Sequence, residues 1–328
     1  MAFLKNVLLT SAGWTLRKGR LWQMTSLYSE RMQLAPASLQ FRSRKNGPPF
    51  QILYYHRILP KVDPFAIDVI TTADFEQQVA MLSSAFNLMT IGQLSDALQS
   101  RSIPPKTACI TFDDGYQDNF RFAFPILQKY SAPATIFVAT DFIGTGKLLW
   151  PDRLLATIRH SRQSSVPADF CGHSLPLTTP GQRRATAERL LDWLKQFSPE
   201  VRDMHIGRLE TVCGRAPKPE NRLMLTWDEI RTMSDCGIEF GSHTLSHPIL
   251  SHTTDGEIEQ EISESKTIIE NHIDKPVQSF AYPNGRLCDF DERAVAALKA
   301  CGYSAAVTTC DSANDADVDP YALSRESV

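Results

Sequence analysis

Short apolar runs alternating with helical patterns constrain the fold of this chain most strongly. Six runs rich in Ile, Val, Phe and Tyr have the length of β-strands. They cover residues 51–56, 108–112, 134–140, 238–242, 279–282 and 303–309. Several are apolar throughout, as is typical of parallel strands buried on both faces. Alternation with helices predicts an α/β fold, and the absence of a nucleotide-binding fingerprint favours a barrel.

The helical patterns divide the chain into a regular part and an interruption. Seven segments have helical periodicity: 74–86, 119–130, 150–160, 182–197, 201–212, 254–273 and 291–301. Three of these fall within residues 145–225, where no strand is evident. We therefore predict a barrel over residues 50–328 that carries a helical insertion at about 145–225. Such an insertion would act as a lid or a substrate wall, because functional loops collect at one rim of a barrel.

The charge distribution sets residues 1–49 apart as a basic N-terminal arm. This arm has eight Lys or Arg residues against one acidic residue, Glu30, whereas the whole chain has a net charge of −3. The overall charge gives no indication of nucleic-acid binding. We expect the arm to be solvated, with contact to an anionic membrane surface as the alternative.

The cysteines and the longest apolar runs bear on the expected location. Seven cysteines without a CxxC pair favour reduced thiols in a cytoplasmic protein. No run approaches the roughly 18 apolar residues that cross a bilayer. We therefore expect a cytoplasmic protein, with association at a membrane through the basic arm as a variant of that expectation.

Four polar stretches directly follow predicted strands. They are YYHR at 54–57, TFDDG at 111–115, GSHTLSH at 241–247 and FAYPNG at 280–285. Each alone is weak, because HxxxH pairs are common and DDG or YPNG usually form turns. Because the carboxyl ends of parallel barrel strands share one face, these segments can converge although they are far apart in sequence.

Their chemistry predicts a metal centre. His243 and His247, spaced i, i+4 in a brief helical turn, would present both imidazoles on one side. With one carboxylate they make a three-ligand site of the kind that holds catalytic Zn²⁺, and Ni²⁺, Co²⁺ or Fe²⁺ can replace it. Successive side chains leave a strand in opposite directions, so we assign Asp114 to the metal and Asp113 to the general base.

These motifs also resemble a known family. TFDDGY, SHTLSH and YPNG, in this order, are similar to the motifs of polysaccharide deacetylases of the NodB-homology class, carbohydrate esterase family 4. The resemblance covers residues 50–328 apart from 145–225. It implies a distorted (β/α) barrel that removes acetyl groups from N-acetylated sugars with a metal. It also implies that Asp113 is the base and that Asp114, His243 and His247 are the metal ligands.

The chain departs from the family pattern at the third motif. The family has Arg-x-Pro-Tyr, and its arginine holds the catalytic aspartate, whereas Ala281 occupies that position here. Arg286 or Arg57 could replace the arginine, or the aspartate is freer than usual. The backbone N–H of Tyr282 is the expected oxyanion donor, because that role requires no particular side chain.

A second departure concerns the general acid. The family takes a histidine from Leu-x-His near the C-terminus, where this chain has Leu323, Ser324 and Arg325. However, YYHR resembles the first strand of the exopolysaccharide branch, similar to poly-N-acetylglucosamine deacetylases, in which an early histidine fills the role. His56 is therefore the candidate to protonate the leaving amine. A buried histidine bonded to the backbone is the structural alternative, and His252 is a second candidate.

The predicted function is metal-dependent hydrolysis of N-acetyl groups on N-acetylhexosamine units of a polysaccharide or glycolipid. One alternative is an amidohydrolase of the same fold that acts on a small non-sugar C–N bond. Another is a non-catalytic glycan-binding protein, since a fold alone fixes no activity. Trp150 and Trp227 are candidate sugar platforms, although packing is the commoner role of a tryptophan.

Overall fold

The computed structural model describes residues 49–61, 63, 65, 67–217 and 221–328. The predicted basic arm therefore lies outside the described residues, apart from its last position. The strands are β1 Phe50–Tyr55, β2 Arg57–Leu59, β3 Val69–Thr71, β4 Asn87–Met89, β5 Thr107–Phe112, β6 Thr135–Val138, β7 Ser165–Val166, β8 Leu175–Pro176, β9 Glu239–Ser242, β10 Ser279–Ala281, β11 Ala305–Val307 and β12 Glu326–Ser327.

Ten α-helices accompany these strands in the described part of the chain. They are α1 Thr72–Ala85, α2 Ile91–Gln99, α3 Phe124–Lys129, α4 Trp150–His160, α5 Ala168–Cys171, α6 Pro180–Leu194, α7 Pro199–Cys213, α8 Trp227–Asp235, α9 Asp255–Ile273 and α10 Glu292–Ala300. A π-helical turn, Asn119–Ala123, precedes α3. No helix among the residues described is long and apolar enough to span a bilayer.

A curved parallel sheet forms the centre of the molecule. Its strands lie in the order β11-β10-β9-β6-β5-β1-β12, and β4 pairs with β5. All six residues of β5 are buried, because a central strand of such a sheet is covered on both faces. A parallel bridge between Val307 and Leu323 joins the segment before β12 to the opposite edge. The sheet therefore curls into a distorted (β/α) barrel, and the predicted fold class is confirmed.

Helices pack on the outside of this sheet through single apolar stripes. In α9, Ile258, Ile262 and Ile269 are buried in the main core, as their spacing predicts. Thr254 starts this helix with a capping box, in which its hydroxyl accepts from the Glu257 N–H. The same core includes Phe75 of α1. The helices thus fix the strands from behind and leave the carboxyl strand ends open.

Some elements differ from the sequence-based expectation. The structure adds β2, β3, β4, β12, α2, α5 and α8, none of which is longer than nine residues, so each is too short to stand out in the sequence. The prediction that residues 145–225 contain no strand is wrong, since β7 and β8 form a two-residue antiparallel pair there. The predicted helix 119–130 begins with a wider π-turn.

The segment between β6 and β9 has its own apolar core. Helices α4, α6 and α7 bury residues such as Leu154, Leu190 and Ile206 against one another. Phe65, from the loop after β2, joins this cluster and contacts the Arg159 guanidinium, whose carbon lies 4.8 Å from the ring centroid. These helices form a wall beside the carboxyl ends of the barrel strands, where the predicted functional residues lie.

Candidate active site

A cavity of about 640 Å³ lies at the carboxyl ends of the barrel strands. Its barrel side includes His56, Asp113, Asp114, His243 and His247. Its other side is formed by the helices that follow β6, and includes Trp150, Asp152, Leu191 and Lys195. The structure thus brings four of the sequence-predicted segments together at one face, because the strands that carry them are parallel.

Asp114, His243 and His247 form a compact buried triad. The Nε2 atoms of His243 and His247 each lie 3.4 Å from Asp114 Oδ1. One ligand atom from each residue lies within 4.8 Å of the other two. Ligands around a four-coordinate zinc at about 2.0–2.2 Å lie about 3.3–3.6 Å apart, so this spacing suits a shared cation.

The chain orients each imidazole separately. His243 follows β9, and its Nδ1 donates to the Ala281 carbonyl over 2.7 Å, which directs Nε2 toward Asp114. His247 lies at the end of a loop in which both Thr244 (φ 70°) and His247 (φ 59°) are left-handed. The loop is not helical, so the expected helical turn is wrong, although the pairing of the two rings is as expected. Their ring centroids are 4.8 Å apart.

A carboxylate from the neighbouring helix holds this loop in place. Glu261 of α9 accepts from the Leu245 N–H over 2.7 Å and from the Ser246 N–H over 2.9 Å. The His247 N–H donates to the Thr244 hydroxyl over 3.0 Å. These bonds satisfy the backbone of a left-handed loop that would otherwise be strained.

The protonation states of the triad suit a divalent cation. Asp114 Oδ1 is buried and accepts no well-formed hydrogen bond from the described residues. Burial lowers the pKa of His247 to about 3, which keeps its imidazole neutral. Although burial opposes it, the imidazole of His243, and after it those of His247 and His56, hold the pKa of Asp114 well below its usual range. A carboxylate with an unused buried oxygen and a neutral imidazole are donors that a metal requires.

Asp113 is held by an arginine from the far end of the chain. Arg325 donates from Nη1 to Oδ1 over 2.8 Å and from Nη2 to Oδ2 over 2.7 Å. Its Nε donates to the Thr308 carbonyl over 2.8 Å, and the side chain is 0% exposed. Burial alone would raise the pKa of Asp113, but Arg325 and then His243 outweigh it and lower that pKa.

This ion pair corrects the prediction that Arg57 or Arg286 would orient the aspartate. Arg57 Nε lies 2.8 Å from Asp118 Oδ2. Arg286 is at the rim, where Nη2 lies 3.7 Å from Asp192 Oδ1. Arg325 stands at the position where the family motif has the histidine that this chain lacks. The sequence marks it only as a basic residue directly before the short last strand, β12.

The prediction for Tyr282 is also wrong. Its backbone N–H donates to the Val307 carbonyl over 3.2 Å, so sheet pairing already uses that donor. Its ring stacks on Phe290 at 3.7 Å, and the residue does not line the cavity. Asn284, two positions on, does line it, and its N–H donates to no described residue.

His56 lies at the cavity between β1 and β2, as its motif predicts. The backbone carbonyl of His56 accepts from Asn119 Nδ2 over 2.9 Å, which anchors the segment. The ring packs edge-on against Tyr54, with centroids 5.8 Å apart. Its imidazole is close enough to Asp113 and Asp114 to be among the lesser causes that lower their pKa values. The alternative candidate, His252, is exposed and does not line the cavity.

Asp152 of α4 is a cavity residue that sequence reasoning missed. The Tyr116 hydroxyl donates to its two oxygens over 3.3 and 3.2 Å. Arg57 lies 4.9 Å from the centroid of the Tyr116 ring. Burial raises the pKa of Asp152 to about 7. A helix N-terminus in a predicted insertion gave no sign that this acid would face the triad.

The two candidate sugar platforms differ in position. Trp150 lines the cavity but is only 6% exposed. Trp227 stacks on His272, with ring centroids 3.9 Å apart, and does not line the cavity. Packing therefore accounts for Trp227.

Comparison with solved structures supports the fold. A Streptococcus pyogenes structure, described as the deacetylase PplD in complex with acetate, aligns with a TM-score of 0.59 and 20% identity over 86% of this chain and 93% of that one. The structure of IcaB from Ammonifex degensii aligns with a TM-score of 0.56 and 20% identity over the same shares. At this identity, the two structures show a shared fold.

Sequence comparison extends this likeness. The poly-β-1,6-N-acetyl-D-glucosamine N-deacetylase of Staphylococcus epidermidis is 25% identical over 179 residues, which are 52% of this chain and 60% of that protein. The chain spans little more than half the length of the first curated relatives that it matches, 54% and 60%. The profile of the family described as polysaccharide deacetylase matches residues 100–306, more than half of the chain. This chain therefore belongs to the polysaccharide deacetylase family.

Proposed function

We propose that this protein removes N-acetyl groups from N-acetylhexosamine units of a glycan by metal-dependent hydrolysis. One observation carries the proposal: the Asp114–His243–His247 triad shares a cavity with Asp113, which Arg325 holds as a carboxylate. The named Staphylococcus epidermidis relative supports N-acetylglucosamine polymers as the substrate class.

The triad would hold the metal, with Zn²⁺ as the preferred candidate because the donors are two imidazoles and one carboxylate. When bound, a divalent cation supplies Lewis-acid activation of water and stabilises negative charge on the amide oxygen. Asp114 and His247 supply deprotonated ligands. Against burial, Asp114 and Asp113 raise the pKa of His243, so a bound metal would displace a proton from this imidazole, whose tautomer the Ala281 carbonyl fixes.

Asp113 would act as the general base. Arg325 uses one lone pair on each carboxylate oxygen, so each oxygen keeps a second one that can accept a proton from the attacking water. The lowered pKa of Asp113 keeps it ionised at neutral pH. The ion pair with Arg325 also prevents the Asp113 carboxylate from rotating away from the cavity, so it stays oriented toward the attacking water.

The remaining steps concern the leaving nitrogen and the developing oxyanion. His56 lines the same cavity, and its ring makes no hydrogen bond with the described residues, so it can deliver a proton to the departing amine. The uncommitted N–H of Asn284 takes the place first assigned to Tyr282 as oxyanion donor. The cavity volume, about 640 Å³, falls in the range of small-ligand sites and suits a sugar unit with a neighbour.

Acetate release from N-acetylglucosamine oligomers, compared with release of amine from a panel of small non-sugar amides and ureides, tests this proposal. We expect turnover of the oligomers by Zn²⁺-loaded protein and none by Asp113→Asn, which keeps the shape of the base but removes its charge. Turnover of the small amides alone would favour the rival amidohydrolase. Binding of the oligomers without release would favour the non-catalytic alternative.

A further inference from the structure

Arg202 of α7 is a buried cation without a carboxylate partner among the described residues. The residue is 3% exposed, and neither Nε nor Nη1 donates to a group in the part of the chain that the structure describes. It makes no ion pair with a described residue. A guanidinium is normally buried only when a carboxylate or another acceptor compensates for its lost hydration. The guanidinium of Arg202 therefore lacks the hydrogen-bond acceptor that a buried cation requires.

The neighbouring carboxylates are engaged elsewhere. Glu200 accepts from the Ser198 hydroxyl over 2.9 Å. Asp203 accepts from Arg153 Nη1 over 3.3 Å. Both acids are near enough to influence the guanidinium, but burial outweighs them and lowers the pKa of Arg202 to about 10. The cation thus retains unused donors.

A second unpartnered donor lies beside it. The guanidinium carbon of Arg202 is 4.6 Å from the centroid of the Trp150 ring. The Trp150 Nε1–H is also buried and has no acceptor among the residues described. Trp150 lines the catalytic cavity, whereas Arg202 does not line it and lies behind the Trp150 ring. The charge of Arg202 extends to the triad, where it is one of the causes that lower the pKa of His247.

We propose that Arg202 and Trp150 form a binding site for a small oxyanion, a carboxylate or a phosphate, behind the Trp150 wall of the catalytic cavity, which the oxyanion would reach by displacing the indole ring. An oxyanion would neutralise the guanidinium and accept from its free N–H groups, which are the strong charge-assisted type. The planar donor fork of arginine suits both carboxylate and phosphate.

The two possible sources of the oxyanion follow from the proposed function, on which this inference rests. Deacetylation releases acetate, which is one source. An acidic group on the glycan substrate, such as a sugar phosphate, is the other. Both sources offer the same chemistry to the guanidinium, and they are separated by experiment.

Anion-dependent thermal stability of the Zn²⁺-loaded full chain tests the site. Probes are acetate, inorganic phosphate, N-acetylglucosamine 1-phosphate and uncharged N-acetylglucosamine. We expect an oxyanion to raise the unfolding midpoint of the wild type. In Arg202→Gln, the Kd of the oxyanion should be at least about tenfold higher. The charge of Arg202 also reaches the triad, so the comparison is repeated in metal-free protein, in which no anion binds at a metal and the difference isolates Arg202.

Arg208→Gln is the matched control. Arg208 lies on the same helix and packs over the Phe170 ring at 5.5 Å, but it is exposed. We expect its anion response to equal that of the wild type. A response to acetate alone identifies the product as the source, and a response to the sugar phosphate but not to the uncharged sugar identifies the substrate.

Arg202→Met covers the case in which Arg202→Gln fails to fold. It fills the same volume without the unpaired charge, so we expect an unchanged or higher midpoint without anion and no specific anion response. If a variant of Arg202 were less stable than the wild type by the same amount with and without anion, Arg202 would only pack on Trp150, and the proposal would be overturned. The assay needs no turnover, so an inactive protein that still binds the oxyanion through Arg202 would contradict only the proposed function.

Discussion

Asp113 and Asp114 are adjacent carboxylates whose surroundings divide their roles. Asp113 is neutralised by the guanidinium of Arg325, which is fully buried. Asp114 instead faces two imidazoles and retains a buried oxygen without a hydrogen bond. Backbone conformation separates them as well, because Asp114 is left-handed (φ 74°) and turns the chain away from the strand. One acid is therefore suited to proton transfer and the other to a cation.

Replacing Arg325 tests this division at the level of one residue. Arg325→Met would leave Asp113 buried and uncompensated, at a cost of about 3–5 kcal/mol in the free energy of unfolding. Burial would then raise the pKa of Asp113, so the acid limb of the activity profile should move to higher pH. We also expect kcat to fall about 10²-fold, because the carboxylate loses its fixed orientation. Urea unfolding and pH–rate profiles measure these effects.

The double variant Asp113→Asn/Arg325→Met is the control. It removes both members of the buried pair, so most of the lost stability should return while activity stays absent. If the free energy of unfolding of Arg325→Met matched that of the wild type, the ion pair would not have the importance that its burial implies.

Asp152 provides a pH-dependent test. Its pKa is raised from 3.8 to about 7 by burial and by Asp114, with Asp118 adding to the rise and Arg57 opposing it. The folded protein therefore keeps a proton on Asp152 that the unfolded chain loses, and stability falls as pH rises through that window. In chelated protein, the wild type should lose about 2–3 kcal/mol more than Asp152→Asn between about pH 5 and pH 8. Equal losses in urea unfolding would contradict the raised pKa of this carboxylate.

At the scale of elements, close packing of β9 on its neighbours positions the two histidines. A Cβ at Gly241 would lie 2.5 Å from the Phe137 ring and 2.8 Å from the Ser279 carbonyl oxygen. Gly241→Ala should therefore displace β9, lower the free energy of unfolding by about 1–3 kcal/mol and weaken metal binding at His243. Unfolding curves and zinc titrations of the variant check both effects.

Gly256→Ala is the matched control for that substitution. Gly256 is in the first turn of α9, and nothing lies within 4 Å of the place where its Cβ would be. We expect unchanged zinc affinity and a stability equal to or up to about 1 kcal/mol above that of the wild type, because alanine favours a helix. A comparable loss in both variants would mean that close packing at β9 is not the cause.

Most of the elements follow from local patterns in the sequence, and the exceptions have physical reasons. The run before Asp113 is apolar throughout, and β5 is buried along its whole length. By contrast, Asn87–Met89 spans only three residues, too few for a period to appear. The loop at Thr244 and His247 depends on left-handed residues that are not glycine, so its sequence resembles a helical turn.

At the scale of the whole molecule, the barrel contributes chemistry and the helical segment contributes the opposite wall of the cavity. The motif residues of the barrel are predictable, because parallel strands gather their carboxyl ends at one face. Arg325 and Asp113 are 212 residues apart, and Asp152 enters from a helix of the opposite wall. Neither contact has a local sequence pattern, because each depends on how distant elements pack.

Acetate release by chelated and zinc-restored protein tests the central claim most directly. The triad of Asp114, His243 and His247 predicts that chelation stops release from N-acetylglucosamine oligomers, and that Zn²⁺ restores it in the wild type but not in His243→Ala. Protein shown by mass spectrometry to hold no metal, yet releasing acetate at the full rate, would contradict it.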